Sequence, residues 1–551
     1  MNNLNNGSTD KKRESFIEEK VLAKNTFYSF LTSSSNFFFS IITVFFIARL
    51  ISQNEWSLLI LVTSLISIFT LILVFLPPSA DLSMIYYASK FKALNQNNKL
   101  KSFIKNSLIL KIGFTLIVYF LIISFFWYFR DFFSLNQKEY INIFYLLSPL
   151  IIINGIGQVT NSIAQSLNLF KLIYLWLVIK NVIYIGGLIY LSFFFNITKV
   201  YDIAIILLFS ILIPFILNFT IIIIFVKFRI KKTDEEGESL KETYKKIYKY
   251  GSYLTILHLT GTFYNEMTTQ LVGFYETGSL VTGYHIANRY NSIPTLAILS
   301  FSRPLTIFYT RLISKKQIGQ IRRIYNLLFN YSLIIFLLIT GILFFTVEIF
   351  LFVLYGESYL SFSVILKLCL FIPIFTIQDS FVGAYFLASN KVKQISFISL
   401  ANGLFKLTFF AIGIIFFNII GAMIFLIIAN LIVMVIYTLI LRKLNIGLKI
   451  GKPLIILLLF FISLFTPLLL NILFLNEIYL NILKNLNLSF FQYFSLPSLL
   501  IYFMIFLSSM IVFKIFTKSD IEKIVYLFSK DNFSHRLIRK GLKISKKFVR
   551  A

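Results

Sequence analysis

Long uninterrupted apolar runs, parted by short polar or basic stretches, occupy the chain from about residue 26 to residue 516. A helix that crosses a bilayer needs about 20 mostly apolar residues. Fourteen runs meet that length: 26–50, 56–77, 106–129, 141–164, 172–195, 203–226, 251–275, 280–304, 325–347, 360–387, 395–417, 419–441, 453–475 and 496–516. They are continuous rather than alternating, which predicts helices and excludes barrel strands. Some also carry polar side chains at helical spacing. These are Ser29, Ser33, Asn36 and Ser40 in the first run, and Asn154, Gln158, Asn161 and Gln165 in the fourth. In the seventh they are Thr255, His258, Thr262, Asn265 and Thr269, with Glu266 beside them. Steps of three and four keep such groups on one face of a helix. Single Ser and Thr residues commonly bond across packed spans; four or five polar groups in register point to a water-filled cavity.

Composition agrees with the pattern. Of 551 residues 58% are hydrophobic and only 14% charged, against about 25% charged in a soluble domain. The predicted class is an all-α polytopic membrane protein with about fourteen transmembrane helices. Residues 1–24 are polar and charged, so no cleavable signal peptide is expected. Cys369 stands alone and forms no internal disulfide. The three histidines, His258, His285 and His535, lack metal-ligand spacing, and no Walker-type loop occurs, which argues against a metalloenzyme or an ATPase. No cofactor is expected beyond a coupling ion, H+ or Na+, whose identity the sequence leaves open.

The net charge of +29 is unevenly spread. With a cytoplasmic N-terminus, 41 of the 52 Lys and Arg fall in inner segments and five in outer ones. A missed span would swap the sides and erase this bias. Both termini are therefore expected in the cytoplasm of a multi-pass plasma-membrane protein, and the basic charge belongs to a membrane face rather than to nucleic acid.

The stretch 227–250, "KFRIKKTDEEGESLKETYKKIYKY", mixes both charge signs and reads as a solvated cytoplasmic linker after the sixth run. It separates an N-terminal lobe (25–226) from a C-terminal lobe (251–441). Tail 1–24, spans 13–14 (442–516) and basic tail 517–551 complete the organisation. The lobes echo each other: Pro149, Asn168, Lys171 and Asn181 in the first correspond to Pro373, Asn390, Lys393 and Asn402 in the second. Two six-helix lobes of like topology plus two C-terminal helices are expected. The tail, alternating apolar and basic residues, suits either an interfacial helix on an anionic leaflet or a solvated segment.

Ionisable residues within spans are costly, and they usually face a partner or a cavity. Here they are Lys111, Lys180, Glu266, Arg289, Arg303, Lys367, Asp379 and Lys406. Arg289 and Glu266 each lie about nine residues from the outer ends of adjacent antiparallel spans, at one expected depth. Two readings stand: a structural ion pair, and a cavity cation that meets an anionic substrate. Lys111 and Lys180 either snorkel or face the pathway. The surplus of intramembrane cations over acids favours anions such as phosphate.

Local wording carries a family resemblance. "FFIARLISQNEWSLLILVTSLISIFTLILVF" (45–75), "GFYETGSLVTGYHIANRYNSI" (273–293), "LYGESYLSFSVILKLC" (354–369) and "FLASNKVKQ" (386–394) follow in order. Together they resemble the polysaccharide flippases of the multidrug/oligosaccharidyl-lipid/polysaccharide exporter superfamily over residues 20–445. The resemblance implies that a polyprenyl-(pyro)phosphate-linked oligosaccharide is flipped from the inner to the outer leaflet by alternating access. It implies a cavity lined by spans 1, 2, 7 and 8, where Asn36, His258, Glu266, His285 and Arg289 fall. The substrate-binding set expected is Arg289, His285, Asn265, Glu266, His258, Asn36, Arg49, Lys180 and Lys111, with no catalytic or metal-binding residue. Expected partners are the lipid-linked oligosaccharide, membrane lipids and glycan-assembly enzymes, around a monomeric transporter. "PPSAD" (77–81) departs from the family's Gly-rich break in span 2, and Pro77–Pro78 should kink the helix there. A cation-coupled multidrug exporter of the same superfamily is the competing reading, and it would favour buried acids in the N-terminal lobe.

Overall fold

The computed structural model describes residues 28, 31–129, 138–194, 199–230, 236–276, 278–314, 318–389, 391–444, 446–447, 451–471, 495–513 and 515. Among the described residues nine helices are long and apolar enough to cross a membrane, or ten if one bent pair counts as a span. Helix α1 (Leu31–Leu50) is followed two residues on by α2 (Gln53–Phe75). A capping box starts α2: the Glu55 N–H donates to Ser52 Oγ at 3.3 Å, and the Ser52 N–H donates to the Glu55 carboxylate at 3.0 Å.

α2 stops where its donors run out. Pro77 and Pro78 have no N–H to give to the carbonyls of Leu73 and Val74, four residues back. Ser79 N–H reaches Val74 O instead, at 2.8 Å. The Leu73 carbonyl is served by Lys111 Nζ, from α4 (Asn97–Phe129). The chain then resumes as α3 (Ala80–Ala93). At this break α9 (Leu240–Tyr275) comes very close, because Gly251 has no side chain: a Cβ there would lie 1.9 Å from the Pro78 carbonyl oxygen. Ser79 and Thr255 hydroxyls bond each other at 2.9 Å beside it.

The fourth predicted span is two helices, α5 (Lys138–Leu147) and α6 (Pro149–Ser166). The tenth is likewise broken, into α13 (Ser363–Cys369) and α14 (Ile372–Ala388), bent by 43°. In each case a proline sits in the first turn of the second piece, where a missing N–H costs nothing. Both pieces end on the same closure: Leu169 N–H bonds Ala164 O at 2.8 Å, and Lys391 N–H bonds Phe386 O at 2.9 Å. Asn168, at φ 64°, supplies the left-handed turn of the first closure.

α7 (Phe170–Phe194) and α8 (Val200–Arg229) precede α9, and α10 (Gly278–Ser314) follows it. α11 (Ile318–Phe345), α12 (Val347–Tyr355), α15 (Val392–Lys443), α16 (Gly451–Leu470) and α17 (Leu496–Val512) follow. α15 covers two predicted runs, and Phe417 and Asn418 interrupt its helical geometry between them. The turn back is tight enough that a Cβ on Gly413 would lie 2.7 Å from Ala422 Cα. Among the described residues a helix lies in each of the fourteen predicted stretches, but α9 and α10 are too polar, and α17 too short, to be counted by length and apolarity.

By contacts the chain forms two compact units interleaved in sequence. The first comprises 1–286, 354–358 and 392–426, and the second 287–353, 359–391 and 427–551. In the first, Met84, Phe103, Ile104, Ile163 and Ile247 form a fully buried core joining α3, α4, α6 and α9. Outward side chains such as Phe120 and Phe193 are 64% and 80% exposed, as apolar groups facing lipid would be. Most described residues of the linker are exposed, but it is anchored to α4 at Glu238. Glu238 is buried, its N–H donates to Ser102 Oγ at 2.7 Å, and its carboxylate pairs with Lys246. That one ion pair lets a buried carboxylate sit against α4. In the second unit Tyr502 crosses α11 at Gly341, and Lys367 pairs with Glu348.

Candidate functional site

A cavity of about 450 Å³ opens inside the first unit. α6 supplies its polar wall: Asn154, Gln158 and Asn161, three of the four residues in the stripe legible from sequence. Thr32 of α1, Ser67 and Thr70 of α2, and Thr262 of α9 add hydroxyls. Trp176 and Lys180 face in from α7, and Asn218 from α8. Among the described residues no carboxylate lines it.

The lining is incompletely satisfied, as a ligand site should be. Asn218 Nδ2 donates to Asn161 Oδ1 at 3.2 Å, yet Asn218 Oδ1 is buried without a partner. Trp176 Nε1 is likewise buried with no acceptor. A buried donor or acceptor left empty costs roughly 1–3 kcal/mol, which a polar ligand or a water would recover. Amides that donate and accept, an indole face and one ammonium suit a polyhydroxyl group that also bears a negative charge.

Of the expected substrate-binding set, Lys180 lines this cavity. Lys111 is 2% exposed and holds the Leu73 carbonyl at the α2 break; it is not among the lining residues. Arg49 is engaged at the end of α1, where Nη1 donates to Leu354 O at 2.6 Å and Phe45 O at 3.2 Å. Its guanidinium lies 3.7 Å from the centre of the Phe45 ring. His285 meets buried Trp56 edge-on at 6.3 Å, and Trp56 stacks on Tyr355 at 6.2 Å. Glu266 is half-buried in α9, where its backbone carbonyl accepts from Ser64 Oγ at 3.2 Å. Asn36 and Asn265 are exposed on α1 and α9. The backbone of His258 lies in α9, and its side chain falls outside the described residues. Arg289 is exposed on α10, in the second unit.

Sequence reasoning missed Trp176 and Asn218. Asn218 had a signal: a lone amide one turn after Pro214 in an otherwise apolar helix. Trp176 had none, since an indole in a span is usually packing.

A family model described as "Polysaccharide biosynthesis protein" matches residues 22–304, just over half the chain and all the elements around the cavity. The chain belongs to the polysaccharide biosynthesis protein family. Its fold is that of the MOP superfamily. The lipid II flippase MurJ in an inward closed conformation is similar over 89% of this chain and 98% of its own, with TM-score 0.61 and 17% identity. An inward-facing multidrug resistance MATE transporter is similar over 75% of this chain and 94% of its own, with TM-score 0.60 and 12% identity. A MOP superfamily transporter from Pyrococcus furiosus, described as having a binding pocket of reverse polarity, matches at TM-score 0.55 and 12% identity. It is covered to 96%, and covers 78% of this chain. No curated protein sequence matches the chain closely enough to count as a relative. Membership makes this a multi-pass membrane protein of polysaccharide biosynthesis.

Proposed function

We propose that the protein flips a polyprenyl-(pyro)phosphate-linked oligosaccharide from the inner to the outer leaflet by alternating access. In this reading fourteen spans form two six-helix lobes plus two terminal helices, with both termini in the cytoplasm. The matching breaks and closures of α5–α6 and α13–α14 support the repeat. Substrate sites between such repeats near the midplane are common in transporters.

The observation that carries the reading is the chemistry of the 450 Å³ cavity: amides, hydroxyls, an indole and Lys180, with no carboxylate among the described residues. Neighbouring sugar hydroxyls need donors and acceptors together, which Asn and Gln provide. Lys180 adds a point charge for a phosphate or an acidic sugar. A carrier of cationic drugs would need the opposite sign.

The test is a strain in which the gene is replaced by a Gln158→Leu/Asn161→Leu variant, with Trp176→Phe as a milder partner. Each is assayed for lipid-linked glycan accessible from outside and for dye tolerance. Glycan precursors should accumulate on the inner leaflet while protein level and dye tolerance hold. Normal glycan export with heightened dye sensitivity would favour the multidrug exporter.

A further inference from the structure

The second unit contains a cavity of about 540 Å³ with a different chemistry. One wall is a single face of α11, starting at Gly319 and running through Arg322 and Arg323 to Asn326, Asn330 and Ile334. Apart from the adjacent pair Arg322 and Arg323, these positions recur at steps of three and four, so they share one face of the helix. The facing wall carries Lys452, the second residue of α16, and buried Ile515 after α17. Three cations thus border one cavity, and among the described residues no carboxylate lines it.

The surroundings hold this arrangement in place. Asn326 Nδ2 donates to Arg322 O at 2.7 Å and to Gly447 O at 3.4 Å, tying the chain before α16 to α11. Just beyond Ile334, Tyr502 OH donates to Leu337 O at 2.9 Å. There Gly341 admits the Tyr502 ring, since a Cβ would lie 2.0 Å from Tyr502 Cζ. Along α11 the lining thus passes from the cations at 322 and 323 to apolar Leu327 and Ile334, short of a closed helix crossing. Asn330 adds a buried Oδ1 with no partner along the way.

We propose that this cavity binds a phosphate group carried on a lipid of the cytoplasmic leaflet. Three exposed basic side chains around one space give it a positive potential that draws an anion. Adjacent arginines suit phosphate because the planar guanidinium presents parallel N–H groups to two oxygens. The apolar part of the lining takes the start of an acyl chain, which a soluble anion does not have. Position agrees: the Lys/Arg bias puts this end of α11 and the start of α16 on the cytoplasmic side, where basic pockets between spans meet anionic head groups. The cavity lies in the second unit and the amide-lined cavity in the first.

Full-length protein in nanodiscs tests this by native mass spectrometry and thermal unfolding. Three arms are compared: phosphatidylglycerol in phosphatidylcholine, phosphatidylcholine alone, and phosphatidylcholine with inorganic phosphate. Phosphatidylglycerol should be retained and should raise the unfolding midpoint. Retention should weaken roughly fivefold for each cation removed among Arg322→Ala, Arg323→Ala and Lys452→Ala, the scale of a basic residue at an anionic surface. The charge-keeping pair Arg322→Lys/Arg323→Lys should stay within a few-fold of the parent, which separates lost charge from lost folding. Undiminished retention by the triple variant overturns the site. Equal stabilisation by inorganic phosphate without anionic lipid overturns its assignment to a lipid.

Discussion

Lys111 changes its meaning once its partner is known. A lysine in an apolar span reads as a substrate cation or a snorkelling chain, but its ammonium stands in for the N–H that Pro77 lacks. Lys111→Met should therefore lower thermal stability by about 1–3 kcal/mol, the usual cost of orphaning a buried acceptor. Membrane abundance should drop while transport per folded molecule is kept. Normal abundance with lost transport would return Lys111 to the pathway. Trp176 and Asn218 show the converse. Each is one polar atom on an apolar helix, without a periodic signal, and gains a role only when α7 and α8 are brought to the α6 stripe.

Elements here are defined as much by how they end as by their apolar faces. The contact of α9 with the α2–α3 break leaves no room for a methyl group at Gly251, and the opposing atom is backbone. Gly251→Ala should cost about 1–3 kcal/mol through overpacking, read as a lower unfolding midpoint than Gly261→Ala, whose Cβ would meet nothing within 4 Å. The start of α9 titrates. The Ser239 N–H bonds the Glu242 carboxylate at 3.0 Å, holding its carboxyl below the ordinary carboxylate range. Folding thus favours the ionised form, so the cap's contribution is complete above the unfolded value and is lost as pH falls through the lower folded one. Amide exchange in the first turn of α9 should quicken on acidification in the parent. In Glu242→Gln it should be less sensitive to pH over the same window.

For the whole molecule the open quantity is sidedness, and the sequence supplies a convenient background. Cys369 is the one cysteine and is fully buried, so an introduced thiol reports alone. Exposed Ser358→Cys should react with an impermeant maleimide from outside the cell, whereas exposed Gln320→Cys should react only after permeabilisation. The reverse result would overturn the cytoplasmic assignment of both the termini and the cationic cavity.

The sequence by itself determined that this is a helical membrane protein, where its helices lie, and that α6 presents an amide face. Those features are periodic, and apolar length and a three-four rhythm are local properties of the chain. The break at Pro77–Pro78 was legible for the same reason, since a missing N–H acts within one turn, whereas the breaks at Pro149 and Pro373 were not read from the sequence. Tertiary structure decided which polar groups share a space. Lys111 went to a carbonyl 38 residues away, Arg49 to one 305 residues away, and Lys180 to the cavity. A charge in lipid must find a partner or water, and the chain's pattern states that need without naming the partner. Only the packing of distant helices supplies the atom that meets it.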